Sequence, residues 1–472
     1  MKKLRWFDYI TINIYWLGLS MASGSLTPII LPYLVGLFVP EEVKGTALGT
    51  LRSAGLAIAI LVQPAAGLLS DRSMLRWGRR RPYIFLGTVL NLVFLTLMGL
   101  AGNYWFLFAS VLLLQFSSNI GHGALQGLIP DLVPEEQRGR ASGVKAIMEL
   151  APIIITAFTT ARLIGAGEVW AALLLVMAFF LVTMLITVFF VHEEPLIEEV
   201  KEPLSPQLVR IALLTIIFVV VTTVAGGAVG LVGRLSRGMG VAQLVAVGLA
   251  GLAAMAGAII LGVWWSARVG IGEGARQYPS FTWWVVNRLL WLAAAGSIQG
   301  FALYFLQDVL LVPNAPVAVG NLMMVVGIFT LLAALPSGWL ADRFGRKPLV
   351  ALAGVVGALG TFLLFISHDM AMVTVCGTII GLSAGVFMTT NWALGTDLVP
   401  PAEAGRYLGV SNLAGAGAGI VGAGIGGPMA DFFNAYQKGL GYLVIFAIYG
   451  VLFLLSAVTL LKVRPTRGEE GA

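Results

Sequence analysis

The amino-acid sequence predicts an all-α, polytopic membrane protein of about fourteen spanning helices, built as two similar halves. Three observations predict it. Of 472 residues, 58% are hydrophobic and 11% charged, with a mean hydropathy of +0.91, whereas an ordinary soluble domain is about a quarter charged. The apolar residues fall in runs of about 20, enough to cross a hydrocarbon core of about 30 Å, where a barrel strand needs only about 10 alternating residues. A charged loop signature also occurs twice, around Asp71 and Asp342.

In chain order, the runs of the first half lie near 10–38, 47–69, 83–102, 104–128, 142–165 and 168–191. Two more follow an acidic stretch, near 208–233 and 241–265, and six close the chain near 281–311, 316–341, 348–367, 370–395, 406–430 and 439–462. The predicted division is an N-terminal six-helix bundle (1–195), a cytoplasmic acidic linker (196–207), an inserted helix pair (208–265), a second cytoplasmic linker (266–280), a C-terminal six-helix bundle (281–463) and a cytoplasmic tail (464–472). Met1-Lys2-Lys3-Leu4-Arg5 has the charge of a signal-peptide start, but the run to Phe38 is too long for such a peptide and has no small-x-small cleavage site. A retained first span is expected.

The formal net charge of +6 comes from basic residues gathered in short loops, the positive-inside pattern and not a nucleic-acid footprint. Arg72, Arg76, Arg79, Arg80, Arg81, Arg343, Arg346 and Lys347 then lie inside, with both termini, in the cell (inner) membrane. Arg234 and Arg237 disagree, falling on the side that helix parity makes external. The single cysteine, Cys376, excludes an intrachain disulfide and reads as a packing residue. No Cys/His ligand set, nucleophile elbow or paired carboxylates call for an enzyme, a metal or a cofactor.

The repeat can be checked by subtraction. Gly67-Leu-Leu-Ser-Asp71-Arg72 answers to Gly338-Trp-Leu-Ala-Asp342-Arg343 at an offset of 271 (342 − 71), and Gly78-Arg79-Arg80 to Gly345-Arg346-Lys347 at 267 (345 − 78). The first loop therefore carries four extra residues. Asp131-Leu-Val-Pro with Gly139-Arg140 answers to Asp397-Leu-Val-Pro with Gly405-Arg406 at 266 (397 − 131). A six-helix half needs fewer residues than this offset; the excess is enough for two added helices, and an even number keeps the halves parallel.

These loops resemble the signature of the major facilitator family, and the first copy, Ser70-Asp71-Arg72 through Gly78-Arg79-Arg80-Arg81-Pro82-Tyr83-Ile84, is similar to sucrose/proton symporters and related glycoside-pentoside-hexuronide carriers. The resemblance implies two six-helix bundles, here with two additional central helices. It also implies gating at Asp71, Arg72, Gly78, Arg79, Arg80, Asp131 and Arg140, and at Asp342, Arg343, Gly345, Arg346, Lys347, Asp397 and Arg406. Two positions depart from the sucrose symporters, whose fourth helix carries an acid and an arginine where this chain has Gln115 and Gln126. Drug/proton antiporters carry an arginine where Ser117 stands, ahead of Gly121-His122-Gly123-Ala124.

In the resembled fold the first, fourth, seventh and tenth helices of the core twelve line the cavity. Their polar residues here are Asn13, Tyr15 and Trp16; Gln115, Asn119 and Gln126; Asn287, Trp291 and Gln299; and Asn391 and Trp392. Amides, hydroxyls and aromatic rings suit a neutral polyhydroxylated ligand. Charges within spans are costly, which makes Glu149, His122 and Asp308 candidates for proton or ion coupling. Lys145 stands four residues before Glu149, on one helix face, while Arg52 and Asp308 read as gate or surface charges near outer helix ends. The implied function is secondary transport of a small polar solute, a sugar or glycoside, by alternating access coupled to a proton or sodium ion, in a monomer whose other partner is the lipid bilayer. The alternatives are export of amphiphilic compounds, or a non-transporting role in pigment delivery or membrane-complex assembly.

Overall fold

The computed structural model describes residues 4–193, 203–272, 274–399 and 404–464, with the side chains of residues 274, 404–406, 408, 409 and 412–414 left outside. Most of the acidic linker, nearly all of the predicted tail and the side chain of Arg406 thus lie outside the described residues. What is described is helical, without strands. Thirteen helices are long and apolar enough to span. They are α1 (Trp6–Phe38), α2 (Glu41–Asp71), α3 (Arg81–Gly99), α4 (Tyr104–Leu132), α5 (Glu135–Gly165), α6 (Val169–Phe190), α7 (Ser205–Leu235), α8 (Val241–Gly270), α9 (Pro279–Asp308), α10 (Ala315–Phe344), α11 (Arg346–Ile366) and α12 (Met370–Asp397), with α14 (Leu440–Lys462). Between the last two runs α13 (Ala404–Asn434), a further 31-residue helix.

Local chemistry sets the ends and bends. Asn103 and Asp369 cap α4 and α12 by accepting from Phe106 N (2.9 Å) and Met372 N (2.8 Å). Pro28 sits in a single π-helical turn, Leu26–Ile30, within α1, where its missing N–H breaks the regular ladder. Pro64 and Pro336 lie inside α2 and α10, and Pro152 and Pro428 inside α5 and α13. Pro64 and Pro152 thus each have a partner eight helices later.

The chain divides into two compact units, and the cuts fall inside α2, α7 and α10. The first comprises residues 1–38, 58–212 and 314–321, the second residues 39–57, 213–313 and 322–472. In the first unit α1 packs on α5 and α6, and α3 on α4 and α6. In the second, α9 packs on α13 and α14, and α11 on α12 and α14. The second unit thus repeats the helix pairing of the first, shifted by eight helices. α8 joins the second unit on α9, α13 and α14. Apolar side chains such as Val224, Leu231, Val245 and Leu249 on the added pair remain exposed, as a lipid-facing surface requires.

Candidate functional site

The loop between α2 and α3 closes around Arg80, whose side chain is only 6% exposed. It pairs with Asp71 and, through Nε, with Asp131 at 3.0 Å, and donates to Ser70 Oγ (2.6 Å) and to the Gly67 carbonyl (3.3 Å). Arg79 adds a second contact to Asp131 at 2.8 Å. Gly127 lies directly beneath the Arg80 guanidinium, and a Cβ there would collide with it. Glu193, just past α6, accepts from the backbone N–H groups of Arg80 (2.8 Å) and Arg81 (3.2 Å). It therefore caps α3 where the helix dipole favours an anion. Burial pushes the Glu193 carboxyl above its ordinary range, and those two amides and the Arg80 and Arg81 guanidinium groups offset only part of that. Arg81 donates to the Val188 carbonyl, binding the loop to α6.

The second loop is sparser. Arg346 pairs with Asp397 and donates to the Ala393 carbonyl at 2.9 Å, while Lys347 donates to the Val463 carbonyl at 2.7 Å. Asp342 is exposed and has no ion pair among the described residues; Arg343 lies over Trp339 and Phe344. Gly345 takes a left-handed φ of 87° and turns the chain into α11, as Gly78 with φ 110° turns the first loop. Arg79 and Arg80, which follow Gly78, both contact Asp131, and Arg346, which follows Gly345, contacts Asp397, the aspartate 266 residues further on (397 − 131). Arg140 is exposed on the wall of an open groove of about 950 Å³ that also includes Trp6, Tyr9 and Gln137.

The polar residues predicted for the first unit separate into two groups. Asn13 donates to the Tyr9 (2.9 Å) and Ala141 (3.3 Å) carbonyls, Tyr15 shares a hydrogen bond of 2.8 Å with Thr88, and Asn119 donates to the Gln115 carbonyl one turn back (2.7 Å). Their present partners belong to the helices themselves. Trp16, by contrast, holds a cluster: His122 meets its ring edge at 5.3 Å, Lys145 Nζ lies 4.0 Å from its ring centre, Gln126 is 3.3 Å from His122, and Glu149 is 3.5 Å from Lys145. Of the predicted coupling residues, His122 lies on this ring and Glu149 is joined to it through Lys145. Gln115 is half-buried.

In the second unit Asn287, Asn391, Trp392 and Trp291 gather about Arg288. Asn287 donates to the Ser456 carbonyl and accepts from Asn391, both at 2.8 Å, and Asn391 Oδ1 accepts from Arg288 Nη1 at 3.2 Å. Trp284 donates to the Asn391 carbonyl at 2.9 Å. The Arg288 guanidinium stands 5.0 Å from the Trp392 ring and 5.9 Å from that of Trp284, and Trp291 stacks on Phe387 at 4.1 Å. Gln299 lies eleven residues beyond Arg288 on α9 and is partly accessible.

Asp308 belongs to a different set. It pairs with Lys44 at 2.7 Å, each side chain 8% exposed. Nearby Asp431 accepts from the backbone N–H groups of Gly45 (2.9 Å) and Thr46 (2.6 Å) at the start of α2. Lys438 pairs with Glu41 at 2.8 Å, which raises the Lys438 pKa. Neither Lys44 nor Asp431 was singled out from the sequence, although both satisfy the criterion of a charge within or beside a span. Arg52 differs from its expectation. α2 begins at Glu41, eleven residues before Arg52, and the guanidinium packs over Gly300 and donates to the Gly296 carbonyl (3.0 Å), with Nη1 buried and unpartnered. It is turned onto α9 and not toward a helix end.

Two helical units with the same helix pairing, each with an arginine-aspartate loop, define a repeat-built, multi-helix membrane protein. The family comparison agrees: residues 10–317 and 290–471 match the Major Facilitator Superfamily. The chain belongs to that superfamily. Over 124 residues it is 29% identical to the vacuolar membrane amino acid uptake transporter fnx2 of Schizosaccharomyces pombe, covering 26% of this chain and 21% of that one. Over 94 residues it is 33% identical to the minor myo-inositol transporter IolF of Bacillus subtilis, covering 20% and 22%. These matches span about a fifth of the relatives' length. The crystal structure of the nucleoside transporter NupG superposes with a TM-score of 0.64 at 14% identity, over 96% of this chain and 98% of that one, a likeness of fold alone.

Proposed function

We propose that this protein is a secondary active transporter that moves a small polar solute by alternating access, driven by a proton or sodium gradient, across the cytoplasmic (inner) membrane with both termini inside. The observation that carries this reading is the doubled loop: Arg79 and Arg80 on Asp131, and Arg346 on Asp397, make the same kind of ion pair in the two repeats. Charge-assisted contacts at helix ends are breakable and directional, the properties a two-state latch needs. The Trp16, His122, Lys145 and Glu149 cluster supports a coupling site, since it combines titratable groups with a cation that can exchange partners. A sugar or glycoside is the first substrate class to test. The form of the first loop resembles glycoside-pentoside-hexuronide carriers, and one relative is a myo-inositol transporter.

Uptake into proteoliposomes over a panel of sugars, glycosides and other small polar solutes, with pH and sodium gradients imposed separately, tests the proposal. Accumulation that collapses with the matching ionophore is the expected outcome; no gradient-dependent accumulation of any solute would sink it. Resistance conferred on an efflux-deficient host, without uptake, would replace it by an exporter. Co-purification of a pigment or membrane complex, without transport in either direction, would replace it by an assembly role.

A further inference from the structure

We infer that Arg288 is the seat of an oxyanion on the transported solute, so that the substrate is a small organic anion and not a neutral polyol. The inference rests on the transporter reading above. α9 is the most enclosed of the spans, 78% buried over its apolar window. Its partly accessible residues include Arg288, Leu292, Ala295 and Gln299, whose spacing puts them on one helix face. A guanidinium directed at acyl chains is costly, so a face carrying Arg288 and Gln299 is one that water and solutes reach.

Arg288 has no carboxylate partner among the described residues. Its contacts are one neutral hydrogen bond to Asn391 Oδ1 and two tryptophan rings, and its Nε is buried without a partner. Lys44 shows the contrast, because in the same unit it is neutralised by Asp308. The geometry around Arg288 is fixed in advance: Asn287 is oriented by the Ser456 carbonyl, orients Asn391 in turn, and so holds Oδ1 toward the guanidinium. The nearby Trp291 indole N–H is also buried and unpartnered. An unpaired planar donor, oriented by a satisfied amide chain and walled by indoles, is complementary to a carboxylate or phosphate oxygen pair. A hydroxyl would leave the charge uncompensated.

The test is ligand-dependent thermal stabilisation of the full chain in detergent, with gluconate and glycerol phosphate as anionic probes and glucose and glycerol as neutral counterparts. Anions are expected to bind the wild type about tenfold or more tightly than their counterparts. Arg288→Gln should abolish that preference. Asn391→Asp should also abolish it, by supplying an internal carboxylate 3.2 Å from Nη1 at the cost of the one hydrogen bond that Asn391 donates to Asn287; this second variant keeps the test decisive if the first does not fold. Preference for gluconate or for glycerol phosphate then tells a carboxylate from a phosphate. Equal binding of neutral and anionic probes, no binding of either anion, or an anion preference that survives both substitutions would overturn the inference. Uptake of neutral sugars with Arg288→Gln unimpaired would overturn it while leaving the transporter reading intact. Arg288-dependent binding without movement into proteoliposomes would leave the anion site standing and remove the transporter reading.

Discussion

The loop after α2 and the loop after α10 share a signature but not a structure. In the first, one buried arginine engages Asp71, Asp131 and Ser70, and Glu193 caps the helix that follows. In the second, Arg346 keeps only the Asp397 pair and a carbonyl, and Asp342 stands exposed. The difference teaches that the conserved element of the repeat is the arginine-to-aspartate contact reaching from the start of α3 or α11 to the end of α4 or α12. The aspartate closing α2 joins that contact in one copy alone. Burial should make the first cluster a rigid anchor and leave the second easier to open.

The largest expected effect on the loops breaks the comparison at its centre. Arg80→Ala removes Asp71's ion-pair partner and one of the two arginines on Asp131, leaving Arg79 on that carboxylate; with Asp71 half exposed, the loss should be about 2 kcal/mol. Arg346→Ala, with side chains 31% and 41% exposed in its pair, should cost about 1 kcal/mol or less. Thermal unfolding of both variants in the same detergent checks this. Equal losses would show that the clusters are energetically alike.

A second comparison sets these loops against the start of α2, where Lys44 and Asp308 form a pair 8% exposed on each side. Removing one partner of such a pair should cost about 2–3 kcal/mol, whereas replacing both by apolar residues should recover most of it. A cycle of Lys44→Met, Asp308→Leu and the double variant measures the coupling. If Asp308 carries the transported proton instead, gradient-driven uptake will be lost in the double variant even though its stability returns.

The fold was legible in the sequence because spans announce themselves by length and because one motif held a nearly constant offset. The pairing of charges was less so. Counting from the glycine matches Arg79 to Arg346, and Arg79 does meet Asp131, but the buried arginine that also reaches Asp71 and Ser70 is the next one, Arg80, which counting alone does not single out. His122 and Glu149 are candidates by the cost of burying charge, and their grouping, His122 on Trp16 and Glu149 on Lys145 above the same ring, required the packing of α1 between α4 and α5. Asn13 and Asn119 carried the same sequence signal as Asn391, yet both donate to helix carbonyls, a distinction that residue type does not encode.

A smaller effect concerns Glu193, which has no equivalent in the second loop among the described residues. Its raised pKa means that the folded protein holds the proton more tightly than the unfolded chain. That contribution to stability is complete below the ordinary carboxylate range, about 4.3, and is lost as pH rises through the higher folded value. The melting temperature of the wild type should therefore contain a component that falls as pH is raised above that range. Glu193→Gln should lack it, since the amide oxygen can still accept from Arg80 N and Arg81 N but does not titrate. A pH profile unchanged by the substitution would remove Glu193 from the list of differences between the loops.

The smallest expected effect sharpens the comparison most. Asp71→Asn and Asp342→Asn are the same change at corresponding positions of the repeat. Asp71 faces the buried Arg80, so losing its charge leaves that guanidinium with Asp131 alone, and a lower melting temperature should follow. Asp342 is exposed and unpaired in this state, and Asp342→Asn should leave the melting temperature where it was. A latch must nevertheless engage in one conformation and release in another. If Asp342 finds a partner only in the alternative state, Asp342→Asn will change the rate of uptake without changing stability. If neither moves, the second aspartate is a relic of the repeat and the gate is asymmetric, worked from the Arg80 side alone.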